Sequence, residues 1–186
     1  AIEKIKHFVS KEAFNIDGLG KKIVENFWKL GLIKLPQDIF NLDYNKITKI
    51  EGWGRLSVEN LKFSINQKRQ IPLERFIYSL GIRHIGLENA KLIARHLKSI
   101  LNFLKLYENK NIDNLSNIDG IGPTQIQSIK KFFLNKTNLN VLFELNKALK
   151  VKNVIQNNND GLLKNKTFML TGKLNGISRA EAKFLI

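Results

Sequence analysis

The sequence predicts a mainly all-α chain of four tandem helical hairpins, followed by the opening of an α/β segment. Three observations carry that prediction. The first is a repeat: Asn-Ile-Asp-Gly-Ile-Gly at Asn117–Gly122 recurs as Asn-Ile-Asp-Gly-Leu-Gly at Asn15–Gly20. It returns as Lys-Ile-Glu-Gly-Trp-Gly at Lys49–Gly54 and, altered, as Gly-Ile-Arg-His-Ile-Gly at Gly81–Gly86. The second glycines fall at 20, 54, 86 and 122, in steps of 34, 32 and 36 residues, the length of a supersecondary unit. The second observation is a set of matching apolar columns. Ile16, Ile50, Ile82 and Ile118 stand four residues before the mark, and Leu19, Trp53, Ile85 and Ile121 one before it. Val24, Val58, Ala90 and Ile126 follow four after it, and Phe27, Leu61, Ile93 and Ile129 seven after, which is one face of a helix opening at the glycine. The third is a polar, aperiodic break at 156–161, beyond which the pattern changes from helical to strand and turn.

In order, Ile2, Ile5, Phe8 and Val9 lie on one helical face, and Ser10 is placed to cap a short helix over 11–14. The first hairpin helix runs to about Leu30, where Gly31 stops it. Brief helices over 36–41 and 43–50, the second capped by Asp43, lead to the second hairpin and a helix to about Gln67. Pro72 suits the start of the third unit, whose first helix reaches Leu80. Its second helix buries Ala90, Ile93, Ala94 and Leu97. A connecting helix over 100–107 and a polar bend through Asn109 and Asn111 precede the fourth hairpin. That hairpin's helix carries Ile126, Ile129, Phe132 and Phe133, and a last helix over 138–149 buries Val141, Leu142 and Leu145. No strand is expected in the first 150 residues. The domain assignment is therefore 1–150 helical, 151–163 linker and 164–186 an incomplete α/β segment. In the last, 167–170 reads as a strand, Thr171-Gly172 as a turn and Ser178–Glu181 as a capping box. The opening Ala1, with Met169 the only methionine, and the uncapped apolar end at Phe184–Ile186 read as a piece of a longer chain.

Composition bounds the function. The chain of 186 residues has an ordinary apolar share, 43%, but 31 Lys and Arg against 16 Asp and Glu leave a net charge of +15. Such a balance points to a polyanion, although a chain this rich in Lys, Asn and Ile is also what an A/T-rich genome encodes. The absence of cysteine removes disulfides, thiolate zinc sites and a cysteine nucleophile. No apolar run has membrane-spanning length. His7, His84 and His96 have no metal-ligand spacing, the carboxylates form no catalytic pair, and Lys130-Lys131 reads equally as a solvated face.

The hairpins supply the chemistry. Glycine permits positive φ, so successive N–H groups converge on one point, and a helix starting there adds its own free amides and partial positive charge. That is an anion site made of backbone, suited to phosphate and blind to base sequence. The candidate phosphate-binding residues are Gly18, Gly20, Lys21, Lys22, Gly52, Gly54, Arg55, Arg83, Gly86, Gly120, Gly122 and Thr124. His84 replaces glycine in the third unit, a residue that tolerates the left-handed region, and Pro123 removes one amide donor from the fourth. The first two hairpins are expected to grip more strongly. Trp53 at a tip reads either as a minor-groove wedge or, more simply, as packing against its partner repeat.

These residues resemble a known family. HFVSKEAFNIDGLG (7–20), IEGWGRLSVENL (50–61), FIYSLGIRHIG (76–86) and IDGIGPTQI (118–126) are similar to the four helix-hairpin-helix motifs of bacterial NAD-dependent DNA ligases, whose third repeat commonly departs from glycine as His84 does. KTFMLTGKLNGISRAEA (166–182) resembles the start of the BRCT domain that ends those enzymes, with Thr171 and Gly172 at the turn that binds phosphopeptides in some of them. The resemblance implies a tandem helix-hairpin-helix domain that contacts minor-groove phosphates around a nick, followed by a truncated BRCT segment. It implies a parent ligase using NAD, magnesium and zinc, with none of these held by this fragment and no catalytic residue within it. Its partner would be nicked double-stranded DNA, its state monomeric, and its place the bacterial cytoplasm at the nucleoid. Two alternatives stand beside it: the hairpin region of a repair nuclease or junction-binding subunit, and a protein-interaction scaffold whose hairpins only pack on one another.

Overall fold

A computed structural model of the chain describes residues 2–108 and 111–154, together with Met169. The elements are α1 (Ile2–Phe8), α2 (Lys21–Lys29), α3 (Tyr44–Ile47), α4 (Arg55–Gln67), β1 (Gln70–Pro72), α5 (Leu73–Ser79), α6 (Leu87–Leu97), α7 (Ile100–Glu108), α8 (Pro123–Leu134), α9 (Lys136–Ala148) and β2 (Lys150–Lys152). Short 3₁₀ helices occupy Pro36–Asn41 and Asn111–Asn117. The compact helical unit ends at Val154. The BRCT-like segment predicted over 164–186 lies outside the described residues apart from Met169, as does the linker from residue 155 onward.

Each repeat folds as a helix, a turn and a second helix. α1 packs on α2, α3 on α4 and α5 on α6, while in the fourth unit the 3₁₀ helix Asn111–Asn117 takes the place of the first helix against α8. The repeated columns are the reason. Val24, Val58, Ala90 and Ile126 are buried, as are Phe27, Leu61, Ile93 and Ile129, and all eight belong to one continuous core. Each such Leu, Ile or Phe removed from water contributes about 1.5–3 kcal/mol, so the four second helices are held mainly by tertiary contact.

Capping sets the boundaries. Asp43 accepts from the amides of Asn45 and Lys46 and starts α3 as expected. Gly31, at φ +73°, ends the first hairpin helix just past Leu30. Asn135 accepts from the amide of Asn138, so α9 begins two residues before the predicted start.

Two expectations are corrected. Residues 11–14 form a turn rather than a helix, because the Arg75 guanidinium takes the carbonyls of Lys11 and Ala13. The carbonyl of Ser10 instead receives the amides of Ala13 and Asn15, and the buried Ser10 hydroxyl has no partner among the described residues rather than capping a helix. Strands do occur: β1 and β2 pair in parallel, Gln70 opposite Lys150, Ile71 opposite Val151 and Pro72 opposite Lys152. Three residues are too few to show alternation, and Pro72 fits because this two-stranded ribbon is all edge. Residues 151–154 thus belong to the helical unit, anchored further by the amide of Val154 on the carbonyl of Lys98.

One ion pair fastens the first hairpin to the chain's first helix. Lys6 on α1 reaches Glu25 on α2 at 2.7 Å and Glu3 at 2.8 Å. The hydrogen bond from Lys6 holds the Glu25 carboxyl below its usual range, and Glu25 and then Glu3 raise Lys6 above its own. A carboxylate depressed in the folded state stabilises above its unfolded pKa and loses that contribution as pH falls through the folded value. Thermal melts of the wild-type chain and of Glu25→Gln are therefore expected to differ at pH 7 and to converge on acidification below the ordinary glutamate range.

Candidate nucleic-acid interface

The four hairpin turns share one hydrogen-bonding pattern. The amides of Leu19, Trp53, Ile85 and Ile121 donate to the carbonyls of Ile16, Ile50, Ile82 and Ile118 at 3.2, 3.0, 3.1 and 3.0 Å. The residue before each donor is left-handed: Gly18 at φ +80°, Gly52 at +82°, His84 at +62° and Gly120 at +88°. Positive φ at the third turn position is what a type II turn demands. In the third unit an L-residue bears that cost, and Asn89 anchors the tip by donating to the carbonyl of His84 at 3.1 Å.

The second glycines play a different part. Gly20, Gly54 and Gly86 have φ of −73°, −81° and −77° with extended ψ, a conformation open to any residue. They are exposed, and a Cβ on any of them would meet no atom within 4 Å. Nothing in the fold requires glycine there. Their carbonyls accept the first helical bonds, from Val24, Val58 and Ala90 at 3.0, 3.1 and 2.9 Å, and no side chain caps them. The amides of the first turns of α2, α4 and α6 therefore face solvent at the positive end of each helix. The fourth hairpin is different: Gln125 Oε1 accepts from the amide of Gly122 at 3.1 Å, and Pro123 has no amide to offer.

The predicted residues fall into two groups. Gly18, Gly20, Lys21, Lys22, Gly52, Gly54 and Arg55 belong to the first two hairpins, which interlock. A methyl on Gly18 would stand 3.8 Å from the Leu61 side chain of α4, and the rings of Phe27 and Trp53 lie 5.3 Å apart. Trp53 is thus packed against its partner repeat. Arg83, Gly86, Gly120, Gly122 and Thr124 belong to the second two, where a methyl on Gly120 would come within 3.1 Å of Leu92 of α6. Lys21, Lys22, Arg83 and Thr124 are exposed, whereas exposed Arg55 is engaged by Glu59 at 3.0 Å. Lys130 is no mere solvated charge, since it bonds Asp113 at 2.6 Å and joins α8 to the preceding 3₁₀ helix.

Sequence reasoning did not find the roles of Asn89 and Gln125, although both stand three residues past the mark, where a side chain reaches back to its turn. His7 is structural, its Nε2 bonding the carbonyl of Tyr78 at 2.8 Å. The chain has no cysteine, and among the described residues no three His, Asp or Glu converge. No helix among the described residues is long and apolar enough to cross a membrane.

Comparison with known proteins agrees with this geometry. A family model described as "Helix-hairpin-helix motif" matches residues 75–142, which run from α5 into α9 and hold the third and fourth hairpins. The first two lie outside that match, yet their turns are the same in structure. The chain is 77% identical to a DNA ligase of Pelagibacter ubique over 186 residues, all of this chain and 28% of that protein. It is 44% identical to a DNA ligase of Wolbachia pipientis over 98% of the chain, and 42% identical to one of Rickettsia canadensis over 97%, again 28% of each. With homology running its full length and the hairpins in place, the chain is similar from end to end to one part of DNA ligases and spans 28% of the length of the relatives it matches.

Proposed function

We propose that this chain holds duplex DNA without reading its sequence, gripping minor-groove phosphates around a nick for an NAD-dependent ligase that seals nicks in replication and repair. The observation that carries the reading is the clearance at Gly20, Gly54 and Gly86. Unstrained φ and empty space favour a role for these glycines toward something outside the chain, and exposed amides at a helix start suit an anion there. The names of the relatives make the anion DNA. Gly18, Gly52 and Gly120 set the turns, and Lys21, Lys22, Arg55, Arg83 and Thr124 add charge or a hydroxyl beside them.

In this reading the chain contributes no catalytic residue. It positions the duplex as a monomer, in the bacterial cytoplasm at the nucleoid, while NAD, magnesium and zinc serve the parent enzyme through residues other than these. The fourth hairpin, closed on itself by Gln125 and Pro123, grips least.

The test is binding of the chain to a labelled nicked duplex across a salt series. The expected result is an affinity indifferent to base sequence, with log K falling linearly against log salt at about 0.9 per phosphate neutralised. A flat response would favour the scaffold alternative instead.

A further inference from the structure

Between the tip of the third hairpin and the first half of α8 lies an open groove of about 330 Å³, lined among others by Lys4, Arg83, His84, Thr124, Ser128 and Lys131. Its character is one-sided. Three cations line it, no carboxylate does, and among the described residues none of the three is ion-paired, in contrast to Lys6, Lys91 and Lys130. The Lys4 ammonium is held in place by Asn138 Oδ1 at 3.0 Å, and the Ser128 hydroxyl donates to the carbonyl of Thr124 at 2.9 Å.

The second turn position sharpens the contrast. It carries a carboxylate in the other three units, Asp17, Glu51 and Asp119, and a guanidinium only here, Arg83. All four residues are exposed. Three hairpins thus set a negative charge beside their amides, and the one that does not is the one whose turn residues, Arg83 and His84, line the groove. The neighbouring fourth hairpin is also the one whose leading amide is taken by Gln125.

We propose that this groove is an anion site taking a backbone phosphodiester of the bound duplex through Arg83, Lys131 and Lys4, with the Thr124 hydroxyl as a further donor. The inference rests on the DNA-binding reading above and deepens it. The first hairpin pair holds the duplex by main-chain amides, and the second holds it largely by side-chain charge. A planar guanidinium presents two parallel donors to a phosphate, and flanking ammonium groups complete its neutralisation. The two modes differ in an observable way. Each phosphate neutralised by Lys or Arg releases counterions and steepens the salt dependence, whereas an amide brings no unit charge to displace them.

The experiment compares the 186-residue chain with K4Q/R83Q/K131Q, and with K105Q/K150Q/K152Q as a charge-matched control of exposed lysines elsewhere. Binding to a labelled nicked duplex is followed from about 50 to 200 mM salt, the range over which phosphate contacts dominate. The groove variant is expected to lose about 0.9 from the slope of log K against log salt, the share of one phosphate, and the control to keep the slope. An unchanged slope in the groove variant, or an equal fall in the control, overturns the site while leaving the DNA-binding reading intact. Failure of the unaltered chain to bind at all overturns both. Should the triple variant melt at a lower temperature, the single variants R83Q and K131Q, both at exposed positions, are read against the same criterion.

Discussion

Replacing Gly20 and Gly54 together by Ala is expected to weaken binding to nicked duplex about a hundredfold or more while leaving the stability of the protein nearly unchanged. The two effects have separate causes. At φ −73° and −81° alanine is unstrained, and its methyl meets nothing within 4 Å. Such a replacement lowers the entropy of the unfolded chain, worth about 0.4–1 kcal/mol per site, and this is offset by a cost of similar size from placing alanine at a helix N-cap, where glycine is preferred. Outside the protein, in the proposed binding mode, the same methyl stands where a phosphate would approach the amides at the starts of α2 and α4. Losing a hydrogen bond to a charged oxygen costs about 1.5–3 kcal/mol, or at least about tenfold per hairpin. The salt slope is expected to stay nearly constant, because no cation has been removed. Circular dichroism and a thermal melt establish the fold, and fluorescence anisotropy establishes the affinity. Unchanged binding would mean that the amides at these turns do not meet the phosphates.

The largest loss of stability is expected from Arg69→Ala. This guanidinium donates to the carbonyl of Phe40 at 2.6 Å, to the carbonyl of Ala148 at 3.1 Å and to Asn66 Oδ1 at 3.2 Å, and it lies over the Phe40 ring at 5.5 Å. Its own carbonyl receives the amide of Lys150 at 2.7 Å. One residue therefore ties together the 3₁₀ helix after the first hairpin, the end of α4, the end of α9 and the start of β2. Truncation leaves two partly buried carbonyls without their charged donor, at a cost of about 3 kcal/mol. For a chain of this size that corresponds to a fall in Tm of about 10 °C. Arg69→Lys restores the charge but not the fork, and is expected to recover only a minor part. A melt within about 2 °C of wild type would contradict this role.

The contrast between Arg69 and Arg83 shows what the sequence makes legible. The repeat is readable because each unit solves the same packing problem with the same columns, and the helices α2, α4, α6 and α8 begin at the second glycines as the pattern requires. The turn geometry is readable because a turn that needs positive φ selects glycine, or His84 with help from Asn89. The destination of a long cationic side chain is not. Arg69 and Arg75 direct their guanidinium groups onto main-chain carbonyls within the fold, and Lys6 and Lys130 bridge elements, so a net charge of +15 overstates what faces a partner. Likewise, β1 and β2 depend on a pairing between residues 70–72 and 150–152 that no local pattern announces. The early start of α9 is written locally, in Asn135, but the apolar pattern that begins later is the stronger signal and masks it.

The central claim is that main-chain amides at the hairpin turns meet the phosphates, and amide-resolved NMR tests it most directly. On titrating the ¹⁵N-labelled chain with nicked duplex, the largest shift changes are predicted at Gly20, Lys21, Lys22, Gly54, Arg55 and Leu56, with smaller ones around Gly86 and the least at Gly122. Binding that leaves these amides unmoved while shifts gather elsewhere on the helices would contradict the account.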